Sequence, residues 1–405
     1  MGSLHQRIEC RRYGSPFSLQ SEINGLYRAF ASTKSLDIEP GEESAHGSVF
    51  GLAFSPTGDV LVAACEKNSI LSFDPYSHQK IKTITGAHAD CVNCIRFLDS
   101  RIFLSCSDDT TVGVWDLRKL DQKAYSLVGH RDWVKSIEYC YKTRLVITAG
   151  FDDTIRLWDL NEFSSGAVQG RVVMSVRFIA RIVLSPDSAQ LVVSSTIGML
   201  AVIQNLDLQS LERDFCDFSM DQCWFSHRKE DFSYLNDEHF TREKNKLKFC
   251  YDVLPEMNPL AITSLQMHPK GECLLTRFAS SIGDREWSAL YVLDDALTLD
   301  GNPKLCRYVE EPNKEREYIK EPCFSYDGRI AFSPFSFGLR LLACDDTCGE
   351  AVGAVLTQEI ARPFSEVKTL ISHRNTVLST RCSPVHMLLA SGCLGGNVCF
   401  YQPRI

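Results

Sequence analysis

Three histidines, His46, His88 and His130, recur at steps of 42 residues, and each opens a run of short alternating strands broken by turns. The second copy reads GAHADCVNCIRFLDSRIFLSCSDDTTVGVWDLR and the third GHRDWVKSIEYCYKTRLVITAGFDDTIRLWDLN. Within them Val92, Cys94 and Arg96, then Phe103 and Ser105, follow the two-residue period of a strand, as do Val134, Ser136 and Glu138, then Leu145 and Ile147. A unit this short cannot bury its apolar faces alone, so copies must stack on one another. A repeat of about 40–45 residues that opens at a histidine and closes on Trp-Asp is a four-stranded propeller blade. The chain is therefore expected to be an all-β WD40 propeller.

The blade marks have a physical role. A loop histidine, a strand Ser or Thr, a turn Asp and the Trp can form one buried hydrogen-bond chain. In the second copy these are His88, Ser105, Asp109 and Trp115; in the third, His130, Thr148, Asp152 and Trp158. Such a chain stabilises only if every member is satisfied. These histidines and aspartates are thus read as structural, not catalytic.

Degenerate copies complete the count. The first, HGSVFGLAFSPTGDVLVAACEKNSILSFD, ends on Phe73-Asp74. A fourth spans about 172–207, a fifth begins near Ile262, a sixth reads EPCFSYDGRIAFSPFSFGLRLLACDD, and a seventh holds His373. Seven blades are the best count, with the propeller over 46–405 and an extension over 1–45. Six periods of 42 from His46 end at residue 298, well short of His373. Most of the surplus falls at 209–257, read as an insertion between blades four and five. Its charge and its Phe, Tyr and Trp content fit a partner-binding loop or a loop folded on its own blades equally well. Its basic run, Arg242, Lys244, Lys246 and Lys248, reads as a solvated face. In the extension, Leu19, Ile23, Leu26, Tyr27 and Phe30 share one helical face. Such a helix, not needed to close the ring, would pack on the propeller or dock into a partner.

Composition narrows the function. A formal charge of -8 gives no basic field for nucleic acid or an anionic membrane, so neither is expected as a partner. The opening MGSLHQR has no apolar run, so no secretory signal is expected, and the compartment is taken as cytosol or nucleus. The 17 cysteines are then reduced thiols. Cys91 and Cys94 form one CxxC and Cys344 and Cys348 a second close pair, but neither has zinc-finger partners, so no metal is expected. No phosphate-binding, hydrolase, metalloprotease or kinase motif is present, so neither catalysis nor a cofactor is expected.

The string Trp115-Asp116-Leu117-Arg118 carries a second message. A blade does not need Arg118, which sets a cation with five fork-like donors on the rim. The stretch FLSCSDDTTVGVWDLR has Asp109 at its seventh place, Trp115 and Asp116 at 13 and 14, and Arg118 at 16. This box resembles that of the cullin-4-associated factors, WD-repeat substrate receptors of cullin-4 ubiquitin ligases. The longer run AHADCVNCIRFLDSRIFLSCSDDTTVGVWDLRKL, with the starts HGSVFGLAFSPTG and GHRDWVKSIEY, strengthens the resemblance to about Tyr27 through the C-terminus. It implies docking on the damaged-DNA-binding-protein adaptor, and through it on cullin-4, while other surfaces present protein substrates. Arg118 would be the main docking residue, shaped by Trp115 and Asp116, with the segment Leu19 to Phe30 as docking helix. The next blade departs from the pattern, carrying Asn161 where a second arginine can stand. The alternative is a general WD-repeat scaffold in which Arg118 is an ordinary rim arginine.

Overall fold

The computed structural model describes residues 23–35, 44–161, 170–215, 246–250, 260–280, 285–293, 303–313, 318–345 and 361–404. Its strands form seven sheets, six of four antiparallel strands and one with a fifth, Arg362–Pro363, added parallel at its edge, arranged as a closed propeller. The sheet of blade two shows the plan: Val92–Phe97 lines the channel, then Ile102–Ser107, Thr111–Asp116 and, at the rim, Tyr125–Val128. Second strands such as Leu61–Cys65, Leu191–Ser195 and Leu389–Cys393 are buried at every residue, being covered on both faces by neighbouring blades. Outer strands such as Gln79–Ile84 are largely exposed. Among the described residues, one apolar cluster fills each gap between adjacent blades, so the core is a ring of seven slabs.

A register shift recurs near the start of the channel strand in blades one to five and seven, for example between Val92 and Cys94 and between Ile179 and Arg181. Such bulges increase twist and re-aim the residues that follow.

Two sequence expectations are corrected. First, the extension does not end at residue 45. Phe30–Ser35 pairs antiparallel with Val398–Pro403 and forms the outer strand of blade seven. Unpaired, Val398–Pro403 would be an open sheet edge, which explains why N-terminal residues are recruited. A short helix over 23–28 leads into this strand. Tyr27 and Phe30 are each only 1% exposed. They pack with Phe332, Leu341, Leu389 and Tyr401 between blades six and seven. Tyr27 Oη donates to Asp327 at 2.6 Å.

Second, the insertion lies inside blade four, not after it. Leu247–Phe249 pairs with Leu200–Ile203 as that blade's outer strand. The excursion thus joins third and fourth strands of one sheet. On its described edges, Leu211 and Phe215 are buried and Lys246 Nζ meets Asp214 at 2.7 Å. Lys248 sits in the outer strand, while Arg242 and Lys244 lie outside the described residues.

Candidate functional site

In blade two the hydrogen-bond chain is continuous. Trp115 Nε1 donates to Ser105 Oγ at 2.8 Å, His88 Nε2 lies 2.8 Å from the same oxygen, and His88 Nδ1 lies 2.8 Å from Asp109. An indole N–H can only donate, so Ser105 accepts from Trp115 and gives its own hydrogen to His88 Nε2. His88 then donates from Nδ1 to Asp109 as a neutral ring. Burial, opposed by Asp109, holds that ring below its ordinary pKa. Burial also pushes the Asp109 carboxyl up, but bonds from His88, the Ala89 amide and Thr111 win and leave it low. Blade three repeats the chain: Trp158 Nε1 donates to Thr148 at 2.9 Å, His130 Nε2 lies 2.7 Å from Thr148, and His130 Nδ1 lies 2.9 Å from Asp152. Blade seven varies it, with Tyr401 Oη in the indole's place, 2.7 Å from Ser391 Oγ, itself 2.6 Å from His373 Nε2.

The buried Trp115 fixes the strand end from which Asp116 and Arg118 emerge. Arg118 backbone N–H donates to Asp116 Oδ1 at 3.0 Å. Its guanidinium folds onto the same carboxylate, with Nε 3.2 Å from Oδ1 and Nη2 2.8 Å from Oδ2. These bonds hold the Asp116 carboxyl down to about 2. Arg118 stays in water, its side chain 63% exposed, while the Asp116 side chain beneath it is 16% exposed. Among the described residues Asp116 is its only hydrogen-bond partner, so Nη1 keeps both donors. Asn161 makes the same turn without the charge, giving both its backbone N–H and its side-chain Nδ2 to Asp159 Oδ1 at 2.9 Å.

Arg118 has neighbours that sequence spacing does not reveal. Arg101, from the preceding hairpin turn, lies 3.7 Å from Asp116. Beside them a cleft of about 880 Å³ opens between blades two and three, lined by Leu98, Tyr125, Tyr139, Tyr141 and Arg144. Tyr125 and Tyr141 are exposed and apolar-bodied, a type enriched at protein interfaces. The strand pairing places the turn after Phe97 and the turn after Asp116 on one face of the disc. The helix at 23–28 lies on that face too, because Tyr27 bonds Asp327 in the corresponding turn of blade six.

Of the residues expected on a docking helix, Tyr27 and Phe30 are instead committed to ring closure. Ile23 and Leu26 are half-buried, and Leu19 lies outside the described residues. The described cysteines are free thiols. Among the described residues no cluster of His, Cys, Asp and Glu could hold a metal, and no helix is long and apolar enough to cross a membrane.

Comparison with known proteins agrees with this architecture. The model of the WD domain, G-beta repeat, matches residues 40–74, 78–116, 121–159 and 364–402. The β-propeller domain of Cps50 (Swd1) from Myceliophteria thermophila superposes with a TM-score of 0.61 at 15% identity, over 92% of this chain and 99% of that one. That likeness is one of fold. The DDB1- and CUL4-associated factor 10 of Xenopus tropicalis is 40% identical over 94% of this chain and 90% of its own length. The protein of the same name from Homo sapiens is 39% identical over 89% of this chain and 70% of its own length. With identity of this order running through the whole ring, the chain belongs to the DDB1- and CUL4-associated factor 10 family of WD40-repeat proteins.

Proposed function

We propose that this propeller is a non-catalytic substrate receptor of a cullin-4 ubiquitin ligase. It docks on the DDB1 adaptor and presents protein substrates, while other subunits transfer ubiquitin. The observation that carries this reading is the exposed guanidinium of Arg118, rigidly aimed by Asp116 and set beside an aromatic-walled cleft. A forked cation with free donors next to exposed tyrosines is the composition of an interface anchor. The relatives' name supplies the partner's identity. The docking face also carries the helix at 23–28, so Leu26, Ile23 and the residues before them, Leu19 included, can share the contact. Substrates then use other surfaces, in cytosol or nucleus, and neither nucleic acid nor a membrane takes part.

The test is binding of purified DDB1 to three chains of equal melting temperature: wild type, Arg118→Ala, and a truncation lacking residues 1–22, which keeps the closing strand. Wild type is expected to bind, and Arg118→Ala to weaken binding by about tenfold or more, as for a central interface arginine. A folded wild type that does not bind at micromolar concentration overturns the proposal in favour of a general scaffold.

A further inference from the structure

The central channel contains a second charged site. A cavity of about 440 Å³ lies at the end that opens on the Arg118 face. Its walls include exposed Pro269, Tyr326 and Pro384 from the turns at that end, so it communicates with solvent. Into it reach three arginines from three different blades, Arg96, Arg181 and Arg381, and two carboxylates, Glu138 and Glu321.

The pairing is uneven. Arg96 Nη2 lies 2.6 Å from Glu138 Oε2. Arg181 Nη2 donates to Glu321 Oε1 at 3.0 Å, and its Nη1 to the Lys135 carbonyl at 2.9 Å. Among the described residues the hydrogen-bond partner of Arg381 is the neutral Gln266, whose Oε1 accepts from Nη1 at 3.1 Å, while Glu138, already bound to Arg96, acts on it from beyond hydrogen-bond reach. His268, also in the lining, is tied to the Gly328 carbonyl at 3.2 Å and to the Lys270 amide. The three guanidiniums therefore exceed the two carboxylates by one charge, and Arg381 holds most of its five donors in reserve. A half-enclosed cation that shares its nearest carboxylate with another arginine attracts an anion. The fork geometry selects an oxyanion. The nearby Glu138 and Glu321 repel a second negative charge, so a single carboxylate fits better than a phosphate dianion.

We propose that this cavity binds a carboxylate, seated on Arg381 with Arg96 beside it. The group is carried either by a small free acid or by the C-terminus of a peptide entering from the Arg118 face.

The test is fluorine NMR of trifluoroacetate titrated into the full chain at low salt, with competition by acetate, N-acetyl-triglycine, N-acetyl-triglycine amide and inorganic phosphate. Saturable broadening is expected, reversed by acetate and less well by phosphate. Reversal by the tripeptide acid but not its amide assigns the site to chain termini; reversal by acetate without the tripeptide assigns it to small acids. Arg381→Gln should weaken binding by about tenfold, the value of a charge-assisted bidentate contact. Gln266→Glu, which supplies a carboxylate from within, should abolish binding while keeping the fold, so the test survives if Arg381→Gln unfolds. The rim variant Arg285→Gln should bind as wild type. Absence of broadening with wild type, or equal broadening in the folded Arg381 and Gln266 variants, overturns the proposal.

Discussion

Ser105 is the hinge of the blade-two chain, because its single oxygen serves both Trp115 and His88. Ser105→Ala leaves two buried polar groups without partners and should cost about 2–4 kcal/mol, read from denaturant unfolding. The same chain sets a pH response. His88 titrates low because burial disfavours its charge, and Asp109 low because its bonds outweigh burial. Both shifts mean that the unfolded chain takes up protons before the folded one as pH falls. Stability is therefore full above the unfolded histidine value of about 6.5, declines as pH drops below it, and declines again below about 4 as carboxylates protonate. Calorimetry at pH 7.5 and 5.5 should show a lower Tm at the acid value, with a smaller drop in His88→Gln; equal drops in both would assign the effect to other groups. The chain was legible in the sequence because His, Ser or Thr, Asp and Trp occupy fixed offsets in blades two and three. The exposed rim position of Arg118 was legible too. Its surroundings were not, since Arg101, Tyr125 and Arg144 are gathered by folding from separate turns of two blades.

At the level of the element, the weak repeats have a physical explanation. Between blades five and six the His–Asp chain is replaced by a buried ionic cluster. Arg277 Nη2 binds Glu286 at 2.5 Å and Glu311 at 2.8 Å, and Lys320 Nζ binds Glu286 at 2.8 Å and Asn313 at 2.7 Å. Burial pushes Glu311 up while Arg277 pulls it down. Arg277→Met would leave Glu286 to Lys320 and Glu311 to Arg340 alone, 3.5 Å away, with an expected loss of about 3–5 kcal/mol in equilibrium unfolding. A loss near zero would mean the cluster relaxes to solvent. These residues carry no offset that a repeat search recognises, which is why blades five and six read as degenerate. The outer strand of blade four was missed for a different reason. It is only Leu247–Phe249, three residues after a long excursion, too short for a two-residue period to register. The helical spacing through Phe30 misled in turn, since Tyr27 and Phe30 meet the core across a helix-to-strand junction. Phe30→Ala should cost about 3–5 kcal/mol, as for a large buried aromatic, measured by chemical denaturation.

For the whole molecule, seven blades and their order were readable from the period, but the way the ring is fastened was not. Closure rests on Phe30–Ser35 against Val398–Pro403, reinforced by Lys368 Nζ donating to the Arg28 and Phe30 carbonyls at 2.9 and 2.7 Å. Deleting residues 1–35 should therefore open the ring and expose an edge strand, giving oligomers by light scattering where the deletion of 1–22 stays monodisperse. Loss of partner binding by the longer deletion would report unfastening, not a lost contact. The same pairing orders events during synthesis. Phe30 leaves the ribosome while Pro403, its partner, has yet to be translated. At about 5–20 residues per second the interval is roughly 20–75 seconds. Blades one to six can stack in that time, but a nascent chain carries an open-ended stack with an unclaimed strand, the period in which it most needs a chaperone.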